Sequence, residues 1–199
     1  DKARGNRILV CSAYSGEGKS FCAINLALSL AAEKDREILL VDADFGKPEL
    51  PDILGLNAGL GLMDVLADPT LWVEDVIIRT DIPSLSILPA GRRTNDDTEY
   101  LASTRTEALL QRLTEGRPER ILIFDSPPLL AASSGAELAA HASVALLVVR
   151  ADKTPESALR DAANMVGSVG ADVQLLLNAV SFSGSGRRFG SYYKESNES

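Results

Sequence analysis

A glycine-rich stretch near the amino terminus has the composition of a phosphate-binding loop. The sequence Ala13-Tyr14-Ser15-Gly16-Glu17-Gly18-Lys19-Ser20 lies between a short apolar run and a longer helix-like segment. Small residues let backbone N–H groups wrap a phosphate, and the helix that follows directs the positive end of its dipole at the anion. Lys19 can reach the terminal phosphate oxygens, and the Ser20 hydroxyl can bind Mg²⁺. The stretch therefore predicts a P-loop for a magnesium nucleotide.

Two later apolar runs end in aspartates. Asp42 and Asp44 follow Leu39-Leu40-Val41, and Asp125 follows Ile121-Leu122-Ile123-Phe124. Alternate residues of a strand share a face, so the carboxylates of Asp42 and Asp44 should lie on the same side, at the sheet edge where α/β proteins hold ligands. Carboxylates beside a magnesium nucleotide can hold the metal, position water or accept a proton. All three aspartates are therefore candidate catalytic residues, and Asp42 and Asp125 are candidate metal-binding residues.

The elements that position these residues alternate along the chain. Unbroken apolar runs are typical of strands that are buried on both faces, and they occur at Ile8–Cys11, Ile38–Val41, Leu85–Leu88, Ile121–Phe124, Val144–Val149 and Val173–Leu177. Helix-like segments lie between them, at about Ser20–Glu33, Thr70–Arg79, Thr98–Thr114, Gly135–His141 and Pro155–Val169. This alternation predicts an α/β fold, with a doubly wound, mostly parallel sheet flanked by helices on both faces. Loops are expected at 46–61, with one helical turn, and at 89–95.

Two polar residues are predicted to act at helix ends. Thr154 precedes Pro155, and Gly170 follows the same helical segment, which matches the preference for a hydroxyl cap, an early proline and a terminal glycine. His141 is the only histidine, and it lies between a helix-like run and a strand. We expect it to be a cation at the helix carboxyl terminus rather than a catalytic base.

Composition excludes several classes of protein. The 199 residues are 45% hydrophobic and carry a formal net charge of -8, so we expect one globular domain with no general attraction to nucleic acid. The apolar stretch at 21–32 is too short to cross a bilayer, which predicts no transmembrane segment. Ser and Gly supply nine of the residues at 181–199, which also contain Tyr192 and Tyr193. We therefore predict an ATP-binding domain over 1–180 and a flexible tail over 181–199.

The three motifs together resemble the Walker A, A′ and B motifs of bacterial tyrosine kinases, the cytoplasmic ATP-binding part of exopolysaccharide and capsule co-polymerase systems. Walker A is the P-loop, A′ is the hhhDxD pattern ending at Asp44, and B is the hhhDxxP pattern around Asp125, where h is apolar. The resemblance spans nearly the whole chain. Its other stretches are most similar to the exosortase-associated autokinase branch, at Ala23–Ala27, Gly61–Leu66, Leu88–Gly91, Tyr100–Ser103 and Asp125–Leu130.

This resemblance implies a role for each site residue. Lys19 would stabilise the transferred charge, Asp42 would be the base or a metal-shell carboxylate, and Asp44 would be a second such carboxylate. Asp125 would hold the metal and its water, and Asn178 would read adenine. The nucleotide phosphates would lie on residues of the loop and of the first helical turn, namely Ser15, Gly16, Glu17, Gly18, Lys19, Ser20 and Phe21, with Ser20 binding Mg²⁺.

The implied activity is an ATP-dependent, magnesium-dependent protein-tyrosine kinase. The acceptors would be Tyr192 and Tyr193, offered by one subunit to the site of its neighbour, and the reaction would regulate exopolysaccharide or capsule biosynthesis and export. The implied partners are a membrane co-polymerase or activator, fused upstream or separate, a second copy of the chain and a protein-tyrosine phosphatase, with no nucleic acid. The implied location is cytoplasmic, at the inner face of the bacterial cell membrane.

Several positions depart from the family pattern. Ala13 stands where the family has the first glycine of the P-loop. Ser15 stands where the family often has a proline, before the second glycine. Gly46 stands where the family often has an arginine, two places after Asp44. The tyrosine cluster is short, and the Glu/Arg oligomerisation motif ahead of the first strand is absent.

These departures leave two alternative functions open. One is a nucleotide-binding regulatory module without kinase activity, and the other is a partitioning or septum-positioning P-loop ATPase. The second class carries an additional lysine where this chain has Tyr14.

Overall fold

A computed structural model describes residues 5–57 and 59–181. These residues form a seven-stranded sheet in the order β3-β4-β2-β5-β1-β6-β7, in which all neighbours are parallel except β3 and β4. The strands are β1 (Arg7–Ser12), β2 (Glu37–Asp42), β3 (Ile78–Arg79), β4 (Leu85–Leu88), β5 (Arg120–Asp125), β6 (Val144–Arg150) and β7 (Asp172–Asn178). The predicted fold class is confirmed, and each of the six predicted strands lies within one of these elements.

Helices cover both faces of the sheet. They are α1 (Lys19–Ala31), α2 (Leu50–Leu54), α3 (Leu62–Ala67), α4 (Val73–Val76), α5 (Asp97–Ala102), α6 (Thr104–Thr114), α7 (Ser134–His141) and α8 (Glu156–Ser168). Alternate residues of β1 belong to the two hydrophobic cores on opposite faces of the sheet. Leu9 and Cys11 are in the core with residues of α3, α6 and α8, whereas Val10 is in the core with residues of α1. Because both faces are covered, the central strands have no polar face, which explains their unbroken apolar sequences.

Two helix predictions need correction. The predicted helix at 70–79 is the short α4 followed by β3, an antiparallel edge strand that pairs Ile78 with Ile87 of β4. The β-branched Ile77 and Ile78 favour the extended backbone there. The predicted helix at 98–114 is two helices that meet at Ser103, whose backbone is extended at φ -73° and ψ 151°. The Ser103 hydroxyl donates to the Tyr100 carbonyl, a local bond that competes with helix continuation.

The start of α3 is joined to the end of β4 by Asp64. Its Oδ2 accepts hydrogen bonds from Gly61 N at 2.9 Å and from Arg92 N at 3.0 Å. Gly61 lies so close to this loop that a Cβ there would be 2.2 Å from the Pro89 carbonyl oxygen. Gly91 has a φ of +80°, which a residue with a side chain rarely adopts. These contacts give the sequence stretches at 61–66 and 88–91 a structural function.

We expect Asp64→Ala to lower the free energy of unfolding by about 2 kcal/mol, because it removes the acceptor of one buried and one partly buried backbone N–H group. Chemical denaturation measures this change. Asp68→Ala is a suitable control, since Asp68 is exposed and its carboxylate bonds only to Thr70 among the described residues. Equal stability of the two variants would show that the α3 to β4 connection does not depend on Asp64.

His141 belongs to a charged network at the amino-terminal end of β1, away from the carboxyl ends of β2 and β5. The side chain of Arg7 is fully buried and forms an ion pair with Glu107 at 3.0 Å. His141 Nδ1 lies 3.1 Å from the same carboxylate, and its Nε2 lies 2.9 Å from the Leu101 carbonyl oxygen. Burial alone would raise the pKa of Glu107, but hydrogen bonds from Arg7 and His141 lower it. The structure places His141 at the end of α7, the position that the sequence predicted.

Candidate nucleotide-binding site

The loop between β1 and α1 has the backbone of a phosphate-binding loop. Gly16 and Gly18 have φ angles of +78° and +97°, a region that favours glycine. Gly18 has a second constraint, because a Cβ there would lie 2.1 Å from the Asn178 amide nitrogen. The helix α1 begins directly after it, at Lys19. The glycines therefore provide the turn that the sequence predicted, and Gly18 also leaves room for the Asn178 side chain.

Lys19 lies at the centre of the site and is paired with an aspartate. Its ammonium is 3.1 Å from Asp44 Oδ2, and both side chains are almost fully buried. The other oxygen of Asp44 accepts a hydrogen bond from Lys47 N at 3.1 Å. Because Asp44 lies just beyond the carboxyl end of β2, this pair joins the A′ motif to the P-loop. The lysine is thus held next to the loop that would receive the phosphates.

Asp42 and Asp125 are direct neighbours at the carboxyl ends of β2 and β5. Both carboxyl oxygens of Asp42 accept backbone hydrogen bonds, from Asp44 N at 3.3 Å and from Leu50 N at 3.1 Å. Burial raises the pKa of Asp42 to about 7, and the nearby charge of Asp125 acts in the same direction. A buried carboxyl with a pKa near neutrality can accept a proton and release it again.

Asp125 has the properties expected of a magnesium-binding residue. It is only 2% exposed, and its Oδ1 is buried without a hydrogen-bond partner among the described residues. Burial raises its pKa to about 6, while a hydrogen bond from Ser20 and the charge of Lys19 act in the opposite direction. An unpartnered oxygen beside the Ser20 hydroxyl fits a hard cation.

The protein side chains supply only part of such a metal site. In the described part of the chain, no group of three His, Cys, Asp or Glu residues is arranged to hold a metal alone. This arrangement fits Mg²⁺, which keeps several waters and is bound by one or two protein ligands together with substrate phosphates. The observed residues therefore suit a metal that arrives with a nucleotide.

The remaining predicted residues occupy different positions. Ser15 and Phe21 are exposed on the outer side of the loop and of α1. Lys47, beside the family arginine position at Gly46, has an exposed ammonium 2.7 Å from Glu49. Tyr192 and Tyr193 lie outside the described residues. Apart from Ser181, the predicted tail at 181–199 likewise lies outside the described residues.

Sequence reasoning missed two residues that contact the P-loop from β6 and from the loop after it. Arg150 Nη1 donates to the Gly16 carbonyl at 2.8 Å. The Thr154 hydroxyl hydrogen-bonds the Glu17 carboxylate and accepts a bond from Arg150 N. The prediction that Thr154 caps α8 is therefore wrong, since Pro155 occupies the cap position without a side-chain bond. No sequence signal marks these contacts, because they join residues more than 130 positions apart.

A mostly parallel sheet, a P-loop after the interior strand β1 and aspartates at two neighbouring strand ends define a P-loop NTPase. A family model described as ParA, NUBPL iron-transfer P-loop NTPase, matches residues 4–129. The chain belongs to this ParA family of P-loop NTPases. Nucleotide binding with magnesium is the property that membership in this class implies.

Relatives within this class support the bacterial tyrosine kinase family. The chain is 30% identical to the tyrosine-protein kinase ptk of Acinetobacter johnsonii, over 92% of this chain and 25% of that protein. It is 31% identical to the putative tyrosine-protein kinase EpsB of Ralstonia solanacearum, over 96% of this chain and 26% of that protein. The crystal structure of the VpsO kinase domain has a TM-score of 0.80 at 28% identity, covering 90% of this chain and 87% of that domain. The chain spans about a quarter of the length of these curated relatives.

The described helices contain no candidate for a membrane span. The longest, α1 and α8, have 13 residues each, fewer than the roughly 20 that cross a bilayer.

Proposed function

We propose that the chain is the catalytic domain of a protein-tyrosine autokinase that transfers the γ-phosphate of Mg·ATP to Tyr192 and Tyr193. One observation carries this proposal: Lys19, Asp44, Asp42 and Asp125 converge beside the P-loop at the ends of β2 and β5. The curated relatives support it, because they match most of this chain and are named as tyrosine-protein kinases or putative ones. The site contains the residue types that phosphoryl transfer needs, which are a cation and carboxylates.

The proposed reaction breaks a phosphoanhydride bond of ATP and forms a phosphate ester with tyrosine. The bond between the γ-phosphorus and the bridging oxygen of ATP breaks, and a bond from the tyrosine oxygen to that phosphorus forms. The phenol loses its proton late in this transfer, because its ordinary pKa is about 10. Asp42 is the proposed acceptor, since its pKa of about 7 lets it hold a proton at neutral pH. ADP leaves with the electron pair of the broken bond.

Charge neutralisation is the second requirement of the reaction. Lys19 would move from Asp44 toward the phosphates, or share its charge with them, as negative charge develops on the leaving oxygen. Mg²⁺, when bound, would neutralise the phosphate oxygens, with Ser20 and Asp125 as its protein ligands. Asp44 would hold Lys19 in place before the nucleotide arrives.

The biological setting belongs to the same proposal. The chain would act at the inner face of the bacterial cell membrane, on a membrane co-polymerase of exopolysaccharide or capsule synthesis. One copy would phosphorylate the tail of another, and a protein-tyrosine phosphatase would reverse the reaction. The stretches at 61–66 and 125–130 support placement in the exosortase-associated branch. Tyr14, in place of a signature lysine, speaks against a partitioning ATPase.

One contact favours a second candidate, a nucleotide-binding regulatory module that is not a competent kinase. Gly46 leaves the site without the arginine that the family often has, and Lys47 is directed to Glu49. Among the described residues, Lys19 is the only cation that forms an ion pair with Asp44. Within the described chain, no second cation therefore takes the place of the missing arginine. Such a module would bind Mg·ATP without transferring phosphate to protein.

Replacement of both tail tyrosines tests the proposed acceptors, whereas a wild-type chain that binds Mg·ATP and gains no phosphate would indicate the regulatory module. We expect Tyr192→Phe with Tyr193→Phe to remove at least about 80% of the phosphate that the wild type gains from Mg·ATP, because a phenyl ring has no acceptor oxygen. Peptide mass spectrometry after incubation measures this loss. Tyr100→Phe is the matched control, since Tyr100 is a half-buried tyrosine of α5. Full labelling of the double variant would contradict the proposed acceptors.

A further inference from the structure

Two carbonyl oxygens of the P-loop accept hydrogen bonds from side chains at the ends of β6 and β7. The Gly16 carbonyl accepts a hydrogen bond from Arg150 Nη1 at 2.8 Å, and the Glu17 carbonyl accepts one from Asn178 Nδ2 at 2.9 Å. Arg150 is the last residue of β6, and Asn178 is the last residue of β7. Each of these side chains therefore anchors one peptide group of the loop.

These anchors determine where the loop N–H groups point. A trans peptide unit is planar, and its C=O and N–H point in opposite directions. With the carbonyls of Gly16 and Glu17 directed at Arg150 and Asn178, the N–H groups of Glu17 and Gly18 face the opposite side of the loop. Such N–H groups at a helix amino terminus are the ones that bind phosphate. Arg150 and Asn178 thus orient the phosphate-binding donors without touching the phosphate.

The Glu17 side chain provides a third connection. It is 5% exposed, and its Oε2 accepts a hydrogen bond from Tyr14 N at 2.9 Å, which closes the loop on itself. Its Oε1 is bonded to the Thr154 hydroxyl, and the oxygen of that hydroxyl accepts a bond from Arg150 N at 2.9 Å. Burying a carboxylate is costly unless it accepts hydrogen bonds of this kind. Thr154 therefore links the loop after β6 to the P-loop through Glu17.

We propose that Arg150, Thr154 and Asn178 form a P-loop clamp, which holds the loop in its phosphate-binding conformation before a nucleotide binds. They are positioning residues, because they act through the backbone and through Glu17. The clamp gives Asn178 a function distinct from adenine recognition. The proposal rests on nucleotide binding by the P-loop and is independent of tyrosine phosphorylation.

The clamp predicts which ligands are affected when it is broken. The oriented N–H groups would contact only the phosphates of a ligand, so a loosened loop should bind every polyphosphate less tightly. Mg·ADP and inorganic tripolyphosphate should lose affinity by the same factor. A residue that recognises adenine or ribose would instead affect Mg·ADP and leave tripolyphosphate unchanged.

The experiment uses isothermal titration calorimetry with the full chain and these two ligands. We expect Thr154→Val and Arg150→Met to weaken binding of both by about 10-fold, which corresponds to about 1.4 kcal/mol. Thr154→Ser keeps the hydroxyl and should bind within about twofold of the wild type. Lys153→Met is the control, since Lys153 is an exposed residue of the same loop. Thermal unfolding of each variant separates loss of binding from loss of fold.

Three results would overturn the clamp. Wild-type affinity of folded Thr154→Val and Arg150→Met for both ligands would show that the loop does not need these contacts. Loss of Mg·ADP binding with unchanged tripolyphosphate binding would assign the residues to the nucleoside. A Thr154→Ser variant as weak as Thr154→Val would show that the hydroxyl is not the essential group. Each result is obtained whether or not the chain phosphorylates tyrosine.

Discussion

Replacement of Lys19 by methionine is expected to lower phosphate transfer from Mg·ATP by about 100-fold to 1,000-fold, the usual effect of removing one preorganised donor to a transition-state charge. The methionine side chain has a similar length but cannot neutralise charge on the departing phosphate oxygen. The initial rate of γ-phosphate incorporation into the full chain measures the change. Lys34→Met is a suitable control, because Lys34 is an exposed residue after α1.

The ion pair between Lys19 and Asp44 requires a second variant. Without Lys19, the Asp44 carboxylate is left almost fully buried and unpaired by a side chain, which destabilises a fold. Adding Asp44→Asn removes that stranded charge, so the double variant should recover stability while transfer stays lost. If the folded double variant transferred phosphate at the wild-type rate, Lys19 would have no part in the reaction.

Replacement of Asp125 by asparagine is expected to have two opposite effects. Transfer should fall by about 100-fold, since an amide is a poor ligand for the magnesium that neutralises the phosphates. The magnesium-free protein should become more stable by about 1–2 kcal/mol, because the buried, partly unpartnered carboxylate is replaced by a neutral group. Transfer assays across a magnesium titration and chemical denaturation without magnesium measure the two effects.

The pH dependence of stability provides a further check on Asp125. Burial raises its pKa to about 6 in the folded protein, above the ordinary value of 3.8. The folded state therefore binds a proton more tightly than the unfolded state, and this group's contribution to stability falls as pH rises from about 4 to about 6. Asp125→Asn should remove that part of the dependence in magnesium-free protein. An unchanged pH profile, or lower stability at pH 7, would contradict the account of this residue.

The site could be predicted from the sequence to the extent that it follows from local pattern. Strands buried on both faces leave unbroken apolar runs, and the residue after each run lies at the ligand-binding edge of a parallel sheet. Asp42 and Asp125 follow this rule, and the structure pairs them in neighbouring strands. The P-loop glycines are equally local, since their positive φ angles are needed in the turn itself.

The contacts that could not be predicted join distant parts of the chain. Thr154 precedes a proline and resembles a helix cap, but its hydroxyl is bonded to Glu17, 137 residues away. Arg7 begins a strand, where a charged residue is ordinarily exposed, yet Glu107 and His141 enclose it. The edge strand at Ile78 exists because β4 lies beside it. Each of these features depends on tertiary neighbours that propensity and periodicity do not encode.

The fate of the γ-phosphate is the most direct test of the central claim. The full chain is incubated with Mg·ATP labelled in the γ-phosphate, and the label is divided into protein-bound and free phosphate, with Lys19→Met as the background. If the chain is a tyrosine kinase, we expect label in the peptide that contains Tyr192 and Tyr193. Its rate of incorporation should exceed the rate at which free phosphate is released to water. Label found only as free phosphate, or ATP binding without any transfer, would contradict the proposed kinase.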